Sequence, residues 1–243
     1  MDNRAYRSQY RTNCDVNHLS DIKHNQTKRV LVMTAVSAEK EAVLKGLQQS
    51  TPHHFDVQLS GVGVAEAAAR TAFQLAQNKP YDLVINAGIA GGFARSVHIG
   101  DIAIADRIIA ADLGAETPQG FISVDELGFG SATISVDAIV RQQIVQALKQ
   151  KGLNVTSGPV LSVSTVTGTE QTATALTHRI TGAVAEAMEG FGVASAAQQC
   201  NIPVLEVRTI SNVVGDRDRA SWRIPEALEK LEQIFTIFPE VLR

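Results

Sequence analysis

Apolar residues along the chain fall into short unbroken runs that alternate with longer stretches where they recur every three or four positions. The first run, VLVMTAV at 30–36, suits a strand buried on both faces. Ser37 is a candidate helix N-cap, and the pattern after it predicts a helix to about position 49. The same logic predicts strands over 55–60, 83–86, 102–111, 155–163, 183–186 and 203–210. Helices are predicted over 65–77, 136–151 and 170–178, after Glu189, and over 225–238. The stretch 118–130, punctuated by Gly and Pro, reads as loop.

Strands alternating with helices imply an α/β domain: three α/β/α layers around a central mixed, twisted sheet. The polar, aliphatic-poor residues 1–29 have no period and no apolar core of a secretory signal. They are expected to form a disordered extension, leaving 30–243 as a single domain. In open α/β sheets ligands bind beyond the carboxyl ends of the strands. VSAE (36–39), NAGIAGG (86–92), STVTG (164–168), Met188-Glu189 and Ser211-Asn212 all follow predicted strands, so they are expected on one rim.

Composition removes several function classes. A formal net charge of −3 over 243 residues lacks the basic footprint of a nucleic-acid binder. No run of 18 apolar residues marks a membrane span. Cys14 and Cys200 suggest no disulfide framework and fit a reducing cytoplasm. The six histidines show no metal-ligand spacing, so no metal is expected. Gly61-x-Gly63 meets Glu66 where a dinucleotide fingerprint needs glycine, and no phosphate-binding P-loop is present.

The chemistry gathers in VAEAMEGFGVASAA (184–197), small and apolar except for Glu186 and Glu189. A carboxylate in such surroundings either faces water or has a partner. Glu189 at a strand-to-helix junction serves the helix dipole or grips a vicinal diol, because a carboxylate accepts two hydroxyl hydrogen bonds. Met188 is either core or a soft surface against a sugar. Glu39 is a solvated first-turn residue or a second acidic group of the site, and Gly88 to Gly92 form a tight turn or a close approach to ligand. GDRDR (215–219) beside Trp222 is a solvated loop or a holder of a planar anion.

Over about 30–240 the chain resembles the purine nucleoside phosphorylase/nucleosidase superfamily, through NAGIAGG (86–92), EAME (186–189) and VRTISN (207–212). DLGAETPQGFISVDELGFG (112–130), VTGTEQTA (166–173) and EVRTISNVVGDRDRASWRIPEAL (206–228) are similar to the futalosine hydrolases of an alternative menaquinone route. The resemblance implies a nucleoside phosphorylase-like fold and hydrolysis of the N-glycosidic bond of futalosine, with release of hypoxanthine. It also implies a cytoplasmic homo-oligomer, a dimer or higher, without cofactor. Met188 then packs on ribose, Glu189 holds its 2′ and 3′ hydroxyls, and Glu39 activates water, with Glu41 as the alternative base. Ala90, Gly91, Thr165, Val166 and Thr167 line the base. Adenine-releasing nucleosidases carry aspartate where this chain has Asn212, which suits the edge of a 6-oxopurine. The phosphate-binding places of the phosphorylases correspond to Ala35-Val36-Ser37 and Gly88-Ile89-Ala90, without an arginine. A methylthioadenosine/S-adenosylhomocysteine nucleosidase, a phosphorylase and a nucleoside-binding module remain the rival readings.

Overall fold

A computed structural model describes residues 27–47, 53–77 and 80–242. The chain enters through β1 (Arg29–Thr34), α1 (Ser37–Gly46), β2 (His54–Leu59), α2 (Val64–Gln77) and β3 (Leu83–Gly92). Then come β4 (Ile102–Ala110), a hairpin of β5 (Gly114–Thr117) and β6 (Gly120–Ser123), β7 (Thr133–Ser135), α3 (Ala138–Gln150) and β8 (Val155–Ser162). It closes with α4 (Glu170–Arg179), β9 (Ala185–Ala187), α5 (Gly190–Gln199), β10 (Val204–Val213) and α6 (Ile224–Val241). The α/β order read from the periodicity is the one observed.

The main sheet runs β10-β4-β8-β9-β3-β1-β2 and is mixed, with β4 antiparallel to β10 and β9 antiparallel to β3. Its twist curls it until β3 also pairs with β10, so five strands close on themselves and β1 and β2 extend from the ring. β3 can serve three neighbours because its first half pairs with β1 and its last two residues with β9. Helices cover the sheet: α5 lies against β3, β4, β8 and β10, α2 lies on α5, and α1 packs on α6. The small residues of α5 follow from that squeeze, since a Cβ on Gly192 would collide with the carbonyl of Val64 at the start of α2.

Four boundaries depart from the sequence reading. Arg29, assigned to the extension, is in β1, where its backbone N–H donates to Asp82 and its guanidinium pairs with Asp56 at 2.7 Å. The rest of the extension, up to residue 26, lies outside the described residues. Ser37 is the first residue of α1 rather than its cap; the cap is Val36, and Glu39 reaches back to its N–H at 3.3 Å. Within 118–130, β6 pairs with β5 in a hairpin that the turn residues concealed. Finally, β3 does not end at Asn86 in a glycine turn. Ladders on both sides hold it extended to Gly92.

Candidate active site

Three carboxyl groups and one guanidinium meet where the β1–α1 turn, the middle of β3, the first half of β10 and the start of α5 come together. Glu39, on the first turn of α1, is 3 % exposed. Its Oε2 accepts from the backbone N–H of Ala35 at 2.9 Å, and its Oε1 from that of Ile89 at 2.8 Å. The side chain therefore spans the β1–α1 turn and β3. Gly88 makes this possible, because a Cβ there would collide with Glu39 Oε1 and come within 2.8 Å of Arg208 Nη1. Glu41, the alternative base, is exposed on α1.

Glu189 is 4 % exposed and occupies the N-cap position of α5, yet its side chain makes no capping hydrogen bond. Its Oε2 accepts instead from Arg208 Nη2 at 3.2 Å, and its Oε1 from the Gly63 N–H at 3.4 Å. The helix dipole alone does not explain this residue. Arg208, 1 % exposed, also donates from Nε to Glu206 Oε1 at 2.9 Å and from Nη1 to the carbonyl of Ile89 at 3.4 Å. Glu206, fully buried in β10, accepts from Asn86 Nδ2 at 3.1 Å. Its other oxygen has no hydrogen-bond partner, and a Cβ on Gly190 would collide with the carboxylate.

One cation faces three carboxyl groups. Burial pushes the Glu39 carboxyl above its ordinary value, opposed first by the charge of Arg208 and then by the Ile89 N–H. Burial likewise raises Glu206, again against Arg208. Burial disfavours the guanidinium's own charge, but Glu206, Glu189 and Glu39 together more than restore it. The cluster is thus acidic, desolvated and hydrogen-bonded, a setting that stabilises positive charge developing beside it.

Residues 55–238 match the family model of the phosphorylase superfamily. A futalosine hydrolase of Streptomyces coelicolor is 48% identical over 219 residues, covering 83% of this chain and 91% of that one. Another, of Acidothermus cellulolyticus, is 45% identical and covers 84% and 88%. The chain belongs to the futalosine hydrolase family. Among solved structures, the S-adenosylhomocysteine nucleosidase of Streptococcus pyogenes in complex with 5-methylthiotubericidin superposes with a TM-score of 0.77 at 20% identity. That match covers 89% of this chain and 98% of the other, and it shows the shared fold.

In this futalosine hydrolase family member the remaining candidates form a second wall. Asn212 follows a register shift in β10 at Ser211, which aligns it with Gly91 of β3. Ser211 Oγ lies 2.8 Å from Asn212 Oδ1 and 3.2 Å from the carbonyl of Ala90, tying the three residues together. Met188 is half-buried between buried neighbours. Thr165 and Val166 are exposed, while Thr167 is held by Glu186: its N–H donates to Oε1 at 2.8 Å and its hydroxyl to Oε2 at 2.5 Å. Of the two acidic residues in VAEAMEGFGVASAA, each has its partner inside the chain.

Arg217 and Arg219 both lie over the Trp222 ring, at 5.4 and 5.8 Å from its centroid. The GDRDR loop is anchored by Asp216, which accepts from the first N–H of α4, while Asp216 to Arg219 remain exposed to solvent. Sequence reasoning missed Glu206 and Arg208. Arg208 stood in the VRTISN motif without a role, and a sharper signal was available: charged residues two apart in an otherwise apolar strand must be paired when buried. It also placed no arginine at the Gly88–Ala90 segment; Arg208 reaches it across the sheet from β10.

Proposed function

We propose that this chain hydrolyses the N-glycosidic bond of futalosine, releasing hypoxanthine and dehypoxanthine futalosine, in the alternative menaquinone route. The relatives support the substrate class. One observation favours water over phosphate as the nucleophile: Arg208, the cation of the buried cluster, is already surrounded by Glu39, Glu189 and Glu206. A phosphate dianion beside the sugar would find that cation already engaged, whereas an oxocarbenium-like sugar would be attracted to the acidic groups.

In this reading the ribose rests on Met188 and its two hydroxyls donate to Glu189. Glu39 takes a proton from a water whose oxygen bonds to C1′, the C1′–N9 bond breaks with its electron pair leaving on the base, and the base takes up a proton from solvent to depart as hypoxanthine. Asn212 donates to the purine edge as negative charge builds there. Ala90, Gly91 and the 165–167 segment enclose the base. A homo-oligomer in the cytoplasm, acting without a cofactor, is part of the same proposal. Among the described residues, no helix is long and apolar enough to cross a membrane.

Incubation with futalosine, inosine and methylthioadenosine, each with and without phosphate, tests the proposal by chromatography of the released base and sugar. Hypoxanthine from futalosine at a phosphate-independent rate is expected. A sugar 1-phosphate product, or faster release of adenine from methylthioadenosine, overturns it. The arginine-flanked Trp222 suits the carboxyphenyl tail of futalosine. Arg217→Ala is therefore expected to slow futalosine turnover more than inosine turnover, and an equal effect on both removes the tail from this site.

A further inference from the structure

Glu186 has no part in the mechanism above, yet it is placed as a ligand-reading group. It pairs with Gly91 from β9, while Asn212 pairs with the same Gly91 from β10. Directly paired residues on adjacent strands project from the same face of a sheet. A carboxylate and an amide therefore stand on one face with a glycine between them, their backbones two strand spacings, about 9–10 Å, apart. The glycine is required there, since a Cβ at Gly91 would lie 2.8 Å from Val214 Cγ2 and 3.3 Å from Asn212 Nδ2.

The chemistry of the two walls is complementary rather than alike. Glu186 has drawn both donors of Thr167, the N–H and the hydroxyl, onto its own oxygens. The segment at 167 thus offers no free main-chain N–H on this side. Burial raises the Glu186 carboxyl above its ordinary value, opposed by the two Thr167 donors, and in its ionised form the unused lone pairs accept. Opposite it, Ser211 Oγ sits on the oxygen of Asn212, and the amide nitrogen gives one hydrogen to the carbonyl of Val213 at 3.1 Å, which leaves its second hydrogen as the group presented.

We propose that Glu186 is a specificity-determining residue that accepts the ring N1–H of a 6-oxopurine while Asn212 donates to its O6. The inference rests on the reading that a purine lies between the 165–167 segment and Asn212. A 6-aminopurine presents the reverse pattern, a lone pair at N1 and a donor at position 6, so both contacts fail together. A site built on such contacts rejects the mismatched base because its own polar groups are left unpaired.

The test compares kcat/KM for futalosine, its 6-amino counterpart and its N1-methyl counterpart in the unmodified chain and in Glu186→Gln. In the unmodified chain the N1-methyl substrate is expected to fall by about 10- to 100-fold, the loss of a hydrogen bond to a charged acceptor. In Glu186→Gln, futalosine is expected to lose a similar factor while the 6-amino substrate is unchanged or faster. Equal losses on futalosine and its 6-amino counterpart would mean that Glu186 only clamps Thr167, and full activity on the N1-methyl substrate would refute the contact without any variant. Failure of the underlying functional reading looks different: the unmodified chain would release no hypoxanthine at all.

Discussion

Glu39→Gln is expected to lower kcat by about 10²- to 10⁴-fold, the usual cost of removing a positioned general base, with KM changed only a few-fold. The carboxylate is held between the β1–α1 turn and Ile89 by backbone donors, so it is oriented before substrate arrives. Its environment also sets a pH signature. Burial, opposed by Arg208, raises the carboxyl above its ordinary value, so the proton blocks the base at a higher pH than it would for an exposed glutamate. The acid limb of kcat/KM should accordingly lie above the ordinary glutamate value of about 4.3. The linkage to stability has the opposite sense to that of a salt-bridged carboxylate. A raised folded-state value means that the stability tied to this group is full below the unfolded-state value and is lost as pH rises through the folded one. An unchanged rate in Glu39→Gln would transfer the role to Glu41, which lies exposed two positions further along α1.

Arg208→Met carries the largest expected effect on stability, a loss of about 3–5 kcal/mol measured by urea unfolding. The arginine is 1 % exposed and satisfies Glu206 and Glu189 directly. Methionine fills much of the same volume but leaves carboxylates facing one another without a cation. Pairing it with Glu206→Leu should recover part of the loss, because an apolar pair of similar volume replaces a buried charge more cheaply than half an ion pair does. An unfolding midpoint unmoved by Arg208→Met would show that the cluster holds enough protons to need no cation.

The residues of the two walls were legible to different degrees. Met188-Glu189 and Asn212 stood out because each follows a predicted strand end, although β10 runs on through Asn212 to Val213, and the fold class followed from period alone. Glu39 was legible as an acidic residue, but its burial was not, because a first-turn glutamate ordinarily faces water. Nothing local in LEVR (205–208) shows that Glu206 meets Asn86, 120 positions away, or that Arg208 reaches Glu189. The glycines were similarly ambiguous. In sequence Gly88 and Gly91 suit a turn, and in the fold they are strand residues whose missing side chains admit Glu39 at one and Val214 beside Asn212 at the other.

Periodicity and residue type, both written in the chain, determined the order of strands and helices and the chemical groups available to the site. Which carboxylate shares which cation was decided only by the tertiary structure. The free energy of a buried charge depends on its partners within a few ångströms. Those partners come from strands and loops distant in sequence, brought together by the closing of the sheet.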